Sequence, residues 1–194
     1  MAVKRFTESS ILDDKKYTSL LAGNAGYVPP AFESIQTITP SGTATITFSS
    51  IPATYKSLQI RAIGRRDSAS TGGSANLRFN GDTGSNYAKH QLRGNGSAAS
   101  AGGSASQSQI ECFEFAGGDA SVNNMVGALV CDVLDYASTT KYKTVRAFNG
   151  VDFNGSGSVY LFSGVWMSTA AINSLTFYTS ANYLTTTFAL YGVN

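Results

Sequence analysis

Apolar residues in this chain alternate with Thr, Ser, Asn and Tyr, and the alternation runs to the last residue with almost no charge. Between Phe148 and Asn194 the one charged side chain is Asp152. Period-two alternation puts successive side chains on opposite faces of an extended strand, so Ser158-Val159-Tyr160-Leu161-Phe162 and Leu175-Thr176-Phe177-Tyr178 read as strands with one apolar face. Soluble domains carry about a quarter charged residues; this chain has 13%. A neutral Thr/Ser/Asn/Tyr exterior suits a protein that packs against copies of itself, docks on a larger particle, or meets sugars.

The first thirty residues break the pattern. They hold most of the early charge, and no period-two signal appears before Phe32. Ser10-Ile11-Leu12-Asp13 fits a capping box and Gly23 a C-terminal stop, so a short helix is expected over Ile11 to Leu21. An isolated helix of that length is marginal in water and needs a surface to lie on. Residues 1–30 are therefore expected to be an extended or partly helical anchoring arm, with Phe6, Ile11, Leu12, Tyr17, Leu20 and Leu21 meeting a partner. Pro29-Pro30 stiffens the exit into a domain spanning 31–194.

In that domain, Phe32 to Thr39 and Thr43 to Phe48 flank the turn Pro40-Ser41-Gly42 and read as a hairpin. Lys56 to Gly64 follows, with Leu58, Ile60 and Ala62 on one face and Ser57, Gln59 and Arg61 on the other. Further strands are expected over 75–79, 87–92, 108–115, 126–134, 141–148, 159–166, 174–178 and 186–191. Asn80-Gly81, Asn95-Gly96, Gly117-Gly118, Asn149-Gly150 and Asn154-Gly155 supply turn chemistry. Many short strands without a long helix imply an all-β fold, an antiparallel β-sandwich of jelly-roll type. Gly94 to Ser106 is nearly all Gly, Ala and Ser, so it reads as a mobile, exposed tip loop. Asn95, Ser97, Ser100 and Ser104 are its candidate outward contacts.

Catalytic chemistry finds little to use. His90 is the only histidine and sits mid-strand, and no Gly-x-Ser-x-Gly element joins a strand to a helix. Glu111 with Glu114 and Asp132 with Asp135 are the carboxylate pairs available for glycoside hydrolysis. Residues three apart on a regular strand point to opposite faces, which argues against both. Asp135 is expected to open a turn and Asp132 to pair with a neighbouring Lys or Arg. Asp152-Phe153-Asn154-Gly155-Ser156-Gly157 starts like a calcium loop but has Ser163 where the closing glutamate belongs. Asn80 to Asn86 has the single carboxylate Asp82. Cys112 and Cys131 are too few and too far apart for a metal or redox motif, and read as buried hydrophobes. No metal or cofactor is expected. A net charge of +2 without basic clustering argues against nucleic acid, and no apolar run reaches the length of a membrane helix.

Phe32-Glu33-Ser34-Ile35, the run from Ile46 to Arg61, the run from Leu77 to Tyr87 and the closing Phe188-Ala189-Leu190-Tyr191-Gly192-Val193 resemble a family of small virion proteins from tailed bacteriophages. Asp132 to Ser138 and Ser163-Gly164-Val165-Trp166 fit the same family, so the resemblance runs from about Phe32 to the end. It implies a non-enzymatic β-sandwich on the virus particle, a short fibre or a capsid decoration protein, and carries no site residues. The expected partners are other virion proteins and copies of the chain, with a trimer as the working expectation. A reaching tip at 94–106 tilts the expectation toward a fibre. The competing expectation is a carbohydrate-binding adhesin that stacks host surface glycans on exposed aromatics among Tyr87, Tyr136, Tyr142, Phe148, Phe153, Tyr160, Trp166, Tyr178, Tyr183 and Tyr191.

Overall fold

The protein is all-β. The computed structural model describes residues 30–117 and 123–194, and these contain twelve strands. They are β1 (Phe32–Ile38), β2 (Thr45–Phe48), β3 (Ser57–Arg66), β4 (Gly72–Phe79), β5 (Tyr87–Gly94) and β6 (Ala99–Gln107). The second half holds β7 (Ile110–Ala116), β8 (Gly127–Leu134), β9 (Lys143–Asp152), β10 (Gly157–Trp166), β11 (Leu175–Tyr178) and β12 (Tyr183–Val193). The expected helix over 11–21 and the arm residues Phe6, Ile11, Leu12, Tyr17, Leu20 and Leu21 lie outside the described residues.

Hydrogen bonding joins the strands into two antiparallel blocks. One runs β1-β12-β3-β8-β9-β10-β5-β6, and the other runs β2-β11-β4-β7. A single parallel bridge, Arg65 to Ala116, links them. Both blocks feed one core: Leu58, Ile60, Leu129, Cys131 and Val145 from the first, Phe48, Leu77, Phe79, Phe113, Phe115 and Phe177 from the second. The alternation predicted for β3 holds, with Leu58 and Ile60 fully buried and Arg61 exposed.

Two sequence expectations are corrected. The first two strands do not form a hairpin: β1 pairs with β12 and β2 with β11. The six residues between them are long enough to change partners, and the carbonyls of Thr43 and Ala44 accept from the Tyr183 and Thr179 N–H groups instead. The chain is thereby held against the β11–β12 connection.

The second correction concerns 94–106. It is not a mobile loop but the end of β5, a short turn and β6, with Ser100 opposite Arg93 and Ala101 opposite Leu92. Gly, Ala and Ser give no apolar alternation to read, and β6 is held by its backbone ladder rather than by side-chain burial. Asn95 and Ser97 lie in the turn, where Asn95 Oδ1 accepts from the Ser97 N–H at 3.0 Å and the Ala98 N–H at 2.8 Å. Ser100 and Ser104 are strand residues, Ser100 exposed and Ser104 half-buried.

Candidate interaction face and carboxylate pair

The central strands of the eight-strand block, β3, β8, β9 and β10, turn one set of side chains to the core and the other outward, and register decides which outward residues meet. On the outward side Val130 lies opposite Phe148, Phe148 opposite Leu161, Leu161 opposite Leu92, and Leu92 opposite Ala101. The large members, Val130, Phe148, Leu161 and Leu92, stand 42%, 58%, 55% and 54% exposed across β8, β9, β10 and β5. Two residues further along each strand, Ile63, Ala128, Gly150, Val159, Gly94 and Ala99 form a parallel row, in which Ile63 and Val159 are also exposed. Gly150 and Gly94 lower the sheet surface there, leaving an apolar hollow of about 310 Å³ between Phe148, Leu161, Leu92 and Val159. It continues into a wider recess under the turns at 95–96 and 155–157. Exposed patches of this kind mark interaction sites in soluble proteins.

A polar strip borders these rows. Gln59, Asp132, Arg146, Ser163 and His90 lie side by side on β3, β8, β9, β10 and β5. Gln59 Nε2 donates to Asp132 Oδ1 at 2.9 Å, Arg61 Nε donates to Gln59 Oε1 at 2.8 Å, and the Arg146 guanidinium sits 3.8 Å from Asp132. Asp132 thus pairs with a neighbouring cation, as its sequence context predicts. The Arg61 guanidinium also covers the rings of Phe32 and Tyr191, each 5.1 Å away.

The carboxylate pair on β7 requires a correction. Ala75 of β4 faces Phe113 while Asn76 faces Glu111, so Cys112 is an extra residue and the strand carries a β-bulge. The bulge restores parity between residues three apart. Glu111 and Glu114, opposite Asn76 and Ser74, therefore share a face. Glu111 is occupied: Lys89 Nζ and Ser74 Oγ both donate to it. Burial alone raises its pKa, but these donors outweigh burial and hold the carboxyl below the usual range. A carboxyl kept ionised cannot serve as a general acid near neutral pH. Asn149 fixes the backbone of Glu114: its Oδ1 accepts from the Glu114 N–H at 3.0 Å, and its Nδ2 donates to the carbonyls of Glu114 and Ala128.

The other sequence candidates resolve into local structure. Asp82 receives Trp166 Nε1 at 2.7 Å, Asn86 Nδ2 at 2.9 Å and the Gly84 N–H at 2.8 Å. The Trp166 bond is the main cause of its lowered pKa. Asp152 Oδ1 accepts from the Asn154 N–H in a turn where Asn154 and Gly155 take positive φ. Asp135, also at positive φ, closes a turn by accepting from the Ser138 N–H. Among the described residues no cluster of three His, Cys, Asp or Glu could hold a metal ion. His90 is an exposed strand residue opposite Ser163 and Gly103. Cys112 and Cys131 are both free thiols buried in the core. Of the aromatics considered for stacking, Tyr87, Tyr136, Tyr183 and Trp166 are buried, whereas Phe148 and Tyr142 are exposed.

The apolar rows are not foreseen from the sequence. Their members alternate correctly within each strand, but which strands lie side by side is not written in any one strand. Comparison with family models, curated proteins and solved structures finds no match for this chain.

Proposed function

We propose that this chain is a non-enzymatic structural protein on the surface of a tailed-phage virion, held to a tail or capsid protein by its N-terminal arm. The exposed, uncharged row Val130-Phe148-Leu161-Leu92 carries the reading, because such a surface in a soluble protein calls for a protein cover. The resemblance of the strand and turn blocks to small phage virion proteins supports it. We read the two strand blocks as the layers of a jelly-roll-like sandwich. The protein would be made in the host cytoplasm and end in the virion, with other virion proteins and copies of itself as partners. Between the two sub-roles, an ordered β6 removes the reason for preferring a reaching fibre. The exposed apolar rows favour lateral contact, as in capsid decoration.

A second reading, host-glycan recognition, is supported by the exposed Phe148 and Tyr142 rings. The test of the first is deletion of residues 1–30 followed by quantitation of the protein in purified particles. Loss of incorporation, with the soluble domain still folded, is the expected result; full incorporation of the truncated chain refutes the anchoring role. Glycan binding lost on Tyr142→Ala would move the assignment to the second reading.

A further inference from the structure

The two apolar rows lie in the middle of a sheet face, and six large side chains on them, Ile63, Leu92, Val130, Phe148, Val159 and Leu161, are about half exposed in the single chain. Together they offer on the order of 500 Å² of apolar surface, near the top of the range for the largest patch on a monomer. With a polar rim this approaches the roughly 800 Å² per partner of a standard interface. The occupant must itself be apolar where it meets these six side chains, because they offer no hydrogen-bonding partner to a polar or charged group.

The face is complementary to itself. We propose that a second copy of this chain covers it, packed face to face about a two-fold axis that runs along the strands between β9 and β10. This axis exchanges β8 with β5 and β9 with β10 while keeping each row on its own level. Val130 then meets Leu92, and Phe148 meets Leu161. In the neighbouring row Gly150 meets Val159 and Ala128 meets Gly94, so each bulky group faces a lowered surface. In the polar strip Asp132 meets His90 and Arg146 meets Ser163, and no like charges coincide.

The alternative two-fold axis, running across the strands through Phe148, would lay Asp132 and Arg146 onto the row containing Ala128 and Gly150. Burying that pair against apolar surface carries a desolvation cost with no new partner to offset it. The axis along the strands is therefore favoured. It differs from the three-fold arrangement expected from the sequence. This pairing rests on the reading of the chain as an assembling structural protein, and it specifies the partner and geometry for that face.

The test is light scattering on the full-length chain at about 50 μM, above the micromolar dissociation constants at the weak end for interfaces of this size. A mass twice that of one chain is expected. Phe148→Asp should raise the dissociation constant about thirtyfold or more, and Phe148→Ser should weaken pairing while leaving unchanged the thermal melt of protein diluted until wild type and variant are both monomeric, which separates interface loss from misfolding. Geometry is read by cross-linking. His90→Cys combined with Asp132→Cys should give a covalent dimer with a short bis-maleimide, since facing sheets lie about 10 Å apart. Ala128→Cys combined with Asp132→Cys should give none. A monomer or trimer at that concentration, a dimer indifferent to Phe148→Asp, or linking only through the 128–132 variant overturns the proposal. A dimer formed as described by a protein absent from virions would leave the pairing standing and overturn the virion role.

Discussion

Replacing Asn149 with Leu tests how the two strand blocks are fastened. Asn149 is fully buried on β9, and its amide makes three hydrogen bonds, two to the backbone of Glu114 on β7 and one to the carbonyl of Ala128 on β8. Leu has the same branched outline in a somewhat larger volume, so the substitution removes the bonds and adds slight overpacking. Each polar group stranded without a partner costs about 1–3 kcal/mol, and the added apolar burial of Leu returns about 1 kcal/mol. With three groups stranded at the lower part of that range, about 1.3 kcal/mol each, the net loss should be about 3 kcal/mol. With a urea m-value of about 2 kcal/mol/M, the unfolding midpoint should fall by about 1.5 M, and Tm by about 8 °C. Urea titration followed by tryptophan fluorescence suits the measurement, because the single Trp166 lies in the core. Asn149→Asp keeps the acceptor for the Glu114 N–H but, when ionised, sets a buried charge against the carbonyls of Glu114 and Ala128, so it should cost more than Asn149→Leu. A loss below about 1 kcal/mol for Asn149→Leu would refute the view that this side chain joins β7 to β8 and β9.

Alkaline stability should depend on Tyr87. Its hydroxyl is enclosed against the backbone of Phe79 and Asp82, and burial pushes the phenol up to about 12. A raised pKa means the neutral form is favoured in the fold: the contribution is complete below about pH 10 and is lost between 10 and 12, at about 1.4 kcal/mol per pH unit. Urea midpoints at pH 9, 10 and 11 should fall accordingly, and Tyr87→Phe should make the profile shallower, the remaining slope coming from Tyr183, whose phenol burial also raises; a wild-type midpoint that stays flat from pH 10 to 11, or a profile unchanged by Tyr87→Phe, contradicts the assignment. The two thiols offer a kinetic check. Cys131 has its pKa raised by a hydrogen bond with Cys112 and by burial, so neither cysteine should react with a thiol reagent at pH 8 until the chain is unfolded, when both should. Rapid labelling of the native protein would show that the core around them opens readily.

Strand identity is legible wherever side chains alternate in size and polarity. Leu58, Ile60 and Ala62 against Ser57, Gln59 and Arg61 declare the two faces of β3 by their order alone. β6 offers no such order, because Gly, Ala and Ser carry too little side chain to have a preferred face. β1 and β2 mislead in another way, since a favourable turn lies between two strands that belong to different blocks. Pairing is a property of the whole chain, and Pro40-Ser41-Gly42 reports only that the chain turns. The candidate face is hidden for the same reason: Val130, Phe148, Leu161 and Leu92 become neighbours only once β8, β9, β10 and β5 are set in register. Spacing separates Glu111 from Glu114 only on a regular strand, and the bulge at Cys112 makes β7 irregular.

That bulge also makes β7 one residue longer than its partner β4 requires. Removing Cys112 would let Glu111 and Phe113 become ordinary neighbours on the ladder, with every other residue of the strand keeping its present side. A deletion inside a core strand normally turns one half of it inside out; here the lost residue would leave a vacancy beside Cys131 and a straighter strand. β7 is thus a place where the chain's length can change by one without rewriting which residues face the core.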